Sequence, residues 1–210
     1  MDYDLYGTSV VNRVKLRQFL SILMFLLVTV IVIGLFSESE DPVTRISADL
    51  DRDGMTEEYL LIDHCLTIRE GEKDLWQSPG DWRVDNFVLG DVNNDGTVNL
   101  VISLWKTGSF GTVKPFWQTV EDVGYKNHLF VYRLKDKVMK QVWCSSDLDC
   151  PIVSLTVQDI DEDDLFELIV EEGKYRKITG ERYTLDRFAQ VQTTVWRWDE
   201  WGFRLVSSKI

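Results

Sequence analysis

Histidine occurs only twice in this chain, at His64 and His128, and there is no G-x-S-x-G turn, no H-E-x-x-H pair and no glycine-rich phosphate cradle. These absences weaken the reading of the chain as an enzyme. Each histidine stands at the head of an apolar run, where an imidazole is more often structural than catalytic. A glycosidase-type carboxylate pair stays open among the many acids, but no spacing selects one. An enzymatic reading is therefore weak.

Basic charge is also short. The 23 Lys and Arg face 35 Asp and Glu, for a formal net charge of −12, and no basic face is present to neutralise duplex phosphates. Nucleic acid is therefore not an expected partner. The three cysteines form no C-x-x-C or Cys/His spacing of the kind that holds zinc. Cys144 and Cys150 bracket a five-residue "SSDLD" and can pair in an oxidising compartment, leaving Cys65 odd; equally, all three can pack as small apolar thiols.

What the chain does have is apolar residues. They make up 44% of the 210, with 12% aromatic, which is enough to form a core. One block of them, "FLSILMFLLVTVIVIGLF" from Phe19 to Phe36, carries no charge. As a helix it is roughly 27 Å long, close to the hydrocarbon thickness of a bilayer. Arg13, Lys15 and Arg17 precede it and "SESED" follows, so the positive-inside rule predicts a cytoplasmic N-terminus. A cleaved signal peptide is the competing reading; it is weakened by the length of the run and by the absence of an A-x-A-like site beyond Ser37-Glu38-Ser39. The predicted organisation is a cytoplasmic tail (1–18), a single-pass signal-anchor helix (19–36), a linker (37–43) and an extracytoplasmic domain (44–210) in the cell membrane.

Within that domain one pattern recurs. "GDVNNDGTVNLVISLW" places Asp91, Asn93, Asp95, Gly96 and Asn99 ahead of an apolar run. "ADLDRDGMTEEYLLI" repeats the offsets with Asp49, Asp51, Asp53, Gly54 and Glu57, and "QDIDEDDLFELIV" does so with Asp159, Asp161, Asp163 and Glu167, Asp164 standing at the glycine position. Hard oxygen donors at positions 1, 3, 5 and 9 around a tight turn suit Ca²⁺. An EF-hand would need a glutamate at position 12, but Leu60, Ile102 and Val170 stand there, which excludes the helix-loop-helix form. Asx-type turns that bind no metal are the plainer alternative.

The flanks of each loop are strand-like. "TRISA", "RVDNFVLG" and "IVSLTVQ" precede the loops, and "EYLLI", "NLVISLW" and "ELIVEE" follow them, short runs rich in β-branched residues and bounded by turn residues. Hairpin patterns come next in "CLTIREGEKDLWQS", "HLFVYRLKDKVMKQVWCSS" and "TVWRWDEWGFRLVSS". The prediction is an all-β domain of about three units, each of four antiparallel strands, over Thr44–Ser78, Trp82–Ser146 and Ile152–Ser208.

"DLDRDGMTEE" and "DVNNDGTVN" resemble the D-x-D/N-x-D-G-x-x-D/N/E loop of FG-GAP and VCBS-type repeats, which occur in the propeller of integrin α subunits and in bacterial surface proteins. The resemblance covers most of residues 44–208. It implies propeller-like blades, structural calcium held by the twelve residues just named, and adhesion or ligand binding rather than catalysis. No "GAP" phrase accompanies the loops, and three units are fewer than the four to eight blades of a closed propeller. A compact three-unit arrangement, a fourth blade in the irregular segments, or closure with a second copy would each deal with the sheet edges.

Two irregular segments interrupt the units. From Lys106 to Asn127 the chain sets Phe110, Phe116, Trp117 and Tyr125 among glycines. Together with Trp105 and Lys106 these aromatics are candidates for stacking on a glycan or anchoring a protein, or for folding back as a lid. From Gly173 to Gln192 come Lys174, Arg176, Lys177, Arg182 and Arg187, either a solvated face or a contact for an anionic polymer. The expected role is a calcium-loop module that recognises an envelope protein or glycan. The alternatives are an accessory subunit of an envelope enzyme or transport complex and, last, a glycan hydrolase; self-association or a larger membrane assembly stays open.

Overall fold

The computed structural model describes residues 43–109 and 122–209. The tail and anchor, nearly all of the linker, and Phe110, Phe116 and Trp117 lie outside these residues. No helix among the described residues is long and apolar enough to cross a membrane.

The described residues are all-β. In the first unit β1 (Thr44–Ala48), β2 (Glu57–Ile62), β3 (Cys65–Glu70) and β4 (Lys73–Gln77) form an antiparallel sheet in that order. In the second, β5 (Arg83–Gly90), β6 (Asn99–Thr107), β7 (Tyr125–Lys135) and β8 (Val138–Cys144) do the same. In the third the antiparallel order is β9 (Ile152–Gln158), β10 (Glu167–Glu172), β13 (Gln192–Asp199) and β14 (Gly202–Lys209), where β11 (Tyr175–Thr179) and β12 (Arg182–Leu185) are an inserted hairpin. The predicted sequence of strand, loop, strand and hairpin is therefore present three times. The turns carry their own signatures: Asp63 and His64 between β2 and β3, and Asp136 and Lys137 between β7 and β8, all have positive φ, as two-residue hairpin turns require.

The inserted hairpin departs from the sequence reading. Residues 173–192 do not supply a fourth blade. β12 pairs in parallel with the start of β7 through Arg182 and Tyr125, so the hairpin extends the middle sheet. β7 is long enough to carry β12 at one end and β8 at the other. The described sheets do not close into a propeller.

Period-2 alternation assigns each strand face to a core. Tyr59, Leu61, Leu66 and Ile68 of the first sheet pack with Phe87, Leu100, Ile102, Leu104 and Phe130 of the second. The opposite face of the second sheet, through Val101, Leu129 and Val131, packs with Ile152, Leu155, Leu168 and Val170 of the third. The middle sheet is thus a filling between two others. This explains why β6 is buried from Asn99 to Lys106 and why its sequence is nearly continuous in apolar residues rather than alternating. Each fully buried aliphatic or aromatic side chain contributes about 1.5–3 kcal/mol. Gly90, just before the second loop, permits the close approach of β9, since a Cβ there would stand 2.7 Å from the Val157 side chain.

Candidate functional site

The three acidic loops share one backbone. The fourth residue of each has positive φ (Arg52 58°, Asn94 56°, Glu162 60°), and so does the sixth (Gly54 89°, Gly96 81°, Asp164 65°). Asp164 therefore adopts the conformation its glycine counterparts adopt, which aspartate tolerates better than most residues.

The side chain at position 1 holds this turn. Asp49 accepts the Gly54 N–H at 3.0 Å, Asp91 accepts the Gly96 N–H at 2.7 Å, and Asp159 accepts the Asp164 N–H at 3.0 Å. Position 5 caps the residue two further on: Asp53, Asp95 and Asp163 accept the N–H of Met55, Thr97 and Leu165 at 2.8, 3.0 and 3.0 Å. Position 9 opens the following strand. Glu57 and Glu167 reach back to accept the N–H of Leu50 at 2.9 Å and of Ile160 at 3.1 Å. Asn99 makes no such bond, and neither its amide nitrogen nor its oxygen finds a partner among the described residues.

Two of the loops gather carboxylates tightly. Asp49, Asp51, Asp53 and Glu57 bring one oxygen each within 4.8 Å of one another, as do Asp159, Asp161 and Glu167. Acidic clusters able to hold a metal ion are thus present in the first and third loops. In the second, Asn93 and Asn99 leave only Asp91 and Asp95 as charged donors, and Asn93 donates to Asp95 at 2.9 Å.

Cations of the protein itself meet all three. Lys137, from the β7–β8 turn, lies 3.2 Å from Asp53 and 2.6 Å from Glu70, and its backbone N–H donates to Asp51 at 3.0 Å. Arg133 donates to Asp95. Arg197 donates to Asp161 at 3.2 Å, to Asp163 at 2.9 Å and to the buried Glu167. The electrostatics follow. Burial, the desolvation of a carboxylate with no exposed surface, raises the Glu57 pKa; the Leu50 N–H opposes the shift, and the charges of Asp51, Asp49 and Asp53 add to it. The Asp95 carboxyl lies below its ordinary range, because Arg133, Asn93 and the Thr97 N–H outweigh its burial.

The loops are also joined to one another. Arg52 donates to the Gly96 carbonyl at 2.8 Å. Asn94 grips the Phe166 backbone in both directions, donating to its carbonyl at 3.1 Å and accepting its N–H at 2.7 Å. Position 4 of one loop thus reaches the next loop in chain order, twice over.

The predicted ligand surface lies at the far end of β6. Trp105 is buried, stacked on Tyr125 (centroids 6.0 Å) and edge-on to Tyr175 (5.8 Å), and donates to Asp85 at 2.6 Å. Lys106 is buried as well, with its ammonium directed to the carbonyls of Thr107 and Gly108, and its pKa is lowered by burial. Of the residues predicted to contact a ligand, only the half-buried Tyr125 is both described and partly accessible. The inserted hairpin covers this cluster. The Arg182 guanidinium lies 4.3 Å from the Tyr125 ring centroid, and Lys126 lies 5.8 and 5.6 Å from the Tyr175 and Tyr183 centroids while pairing with Asp147 at 2.6 Å. Two basic residues of segment 173–192 therefore make internal cation–π contacts, Arg182 with Tyr125 and Lys177 with Tyr183 at 5.6 Å.

Sequence reasoning missed Lys137, Arg133 and Arg197. A signal existed for the last two, since each precedes the first residue of its hairpin turn, Asp136 or Glu200, by three positions. All three cysteines are free thiols, so the Cys144–Cys150 bridge is not formed. Burial pushes the Cys144 thiol up to about 12. No protein-family model, no curated protein and no solved structure matches this chain.

Proposed function

We propose that this chain is a membrane-anchored, extracytoplasmic β-repeat module of FG-GAP/VCBS type, in which acidic interstrand loops bind calcium and the assembled sheets present a surface to an envelope protein or glycan. The observation that carries the reading is the first loop, where four carboxylates converge within 4.8 Å and one of them, Glu57, has no solvent exposure. A carboxylate buried among three others needs a counter-charge close by to stay ionised. Glu57 Oε1 and Asp51 Oδ1 accept no hydrogen bond from the described residues, and oxygens of this kind fit a hard divalent ion. Asp49, Asp51, Asp53 and Glu57 would hold it, and its charge would pin β1 to β2. The role is structural; recognition falls to the aromatic end of the middle sheet around Tyr125.

The test is thermal unfolding of the full chain in detergent, in millimolar calcium and in chelator. Extracellular modules bind with Kd of roughly 10⁻⁴–10⁻³ M, so a few millimolar should stabilise the fold by about 1 kcal/mol or more. An unchanged midpoint would refute the calcium reading. Retention of the calcium-loaded protein on isolated envelope material, lost on replacing Tyr125, tests the recognition half.

A further inference from the structure

We infer that only the first loop takes a divalent cation, and that the guanidinium groups of Arg133 and Arg197 stand in the second and third loops in place of one. The inference rests on the calcium reading given above and restricts it to a single site.

Register provides the first argument. The residue paired with position 9 across the sheet is Glu70 in the first unit, opposite Glu57, and Arg197 in the third, opposite Glu167. In the second unit Arg133 follows Tyr132, the partner of Leu100, and so lies opposite Asn99. One structural position therefore holds a carboxylate in the first unit and a guanidinium in the other two. Where the arginine is present it turns onto the loop acids: Arg197 contacts Asp161, Asp163 and Glu167, and Arg133 contacts Asp95. A fixed planar cation with five donors meets several carboxylates at once, the task an ion would otherwise perform.

Donor accounting provides the second. In the third loop both Glu167 oxygens are used, one by Arg197 and one by the Ile160 N–H. In the second, the unpartnered buried atoms include donors as well as acceptors: Arg133 Nε and Asn99 Nδ2 beside the Asn93 and Asn99 oxygens. In the first they are Asp51 Oδ1, Glu57 Oε1 and Glu70 Oε2, set against a single hydroxyl, that of Tyr59. Three buried carboxylate oxygens and one candidate donor leave a shortage of positive charge. Lys137 supplies part of it, but its ammonium reaches Asp53 and Glu70 only, from a side chain 39% exposed. A divalent ion on Asp49, Asp51, Asp53 and Glu57 would compete with Lys137 for Asp53 and leave it paired with Glu70.

The experiment is equilibrium dialysis of the full-length protein in detergent against radioactive Ca²⁺, read as ions per chain. The wild type should bind one. Asp51→Asn with Glu57→Gln should bind none, whereas Asp161→Asn with Glu167→Gln should still bind one. Arg197→Gln should bind a second ion, a gain that misfolding does not produce. Lys137→Gln should tighten the first site severalfold. Two or three ions on the wild type, or loss of the ion through the third-loop pair, would overturn the inference and leave the calcium reading standing. One ion on both the wild type and Arg197→Gln would overturn the role given to that arginine. No ion on the wild type or on Arg197→Gln would overturn the inference and the calcium reading together.

Discussion

At the scale of single residues, the loops depend on backbone conformations that sequence alone signals only partly. Gly96 has φ of 81° and open space where a Cβ would go, so replacing it by alanine costs left-handed strain and nothing sterically. Gly96→Ala should destabilise the fold by about 1 kcal/mol, measured by denaturant unfolding with an unchanged slope. His128 makes a different prediction. It has no exposed surface, and burial, with the nearby Lys106 charge, takes its pKa from the ordinary 6.5 to about 4 against the opposing pull of the Ser145 and Ser146 backbone. Folding therefore favours the neutral ring. The contribution is complete above pH 6.5 and is lost as pH falls from 6.5 towards 4, on the order of 3 kcal/mol in all. His128→Phe should flatten that acid limb in a stability-versus-pH series; an unaltered limb would assign it to other groups.

At the scale of elements, the strands were legible because their periodicity is local. "TRISA", "RVDNFVLG" and "IVSLTVQ" coincide with β1, β5 and β9 residue for residue, each being closed off by an acidic loop whose turn chemistry is written in its own residues. The hairpin β11–β12 was not legible. Its strands are exposed or half-buried, and what fixes them is distant in sequence: Tyr175 accepts the Asn127 N–H at 3.2 Å and donates to the Leu148 carbonyl at 3.0 Å. For the same reason the arginines facing the loops were missed, because cross-strand register has to be known before Arg197 can be set opposite Glu167. The recurring loops share one backbone turn that spacing could reveal, yet spacing could not tell a loop whose carboxylates face a guanidinium from one whose carboxylates do not. The ties between loops have a measurable weight. Asn94→Ala removes two hydrogen bonds to the Phe166 backbone and should cost about 1–2 kcal/mol, with the earliest loss of amide-exchange protection in the third loop rather than the second.

At the scale of the whole molecule, the middle sheet decides cooperativity. Ile102 faces the first core and Val101 the second, from adjacent positions of one strand. Ile102→Ala should cost about 2–5 kcal/mol, and it should lower a single transition that Val101→Ala lowers as well. Two separable transitions would mean that the outer sheets fold independently of the filling. This layering also bears on synthesis. While the chain emerges from the ribosome, the first two sheets can associate as soon as residue 144 is free, but Val101, Leu129 and Val131 then face water until residues 152–209 follow. For that interval the nascent protein presents an uncovered apolar face, the kind of surface that a folding helper binds and that neighbouring copies aggregate through.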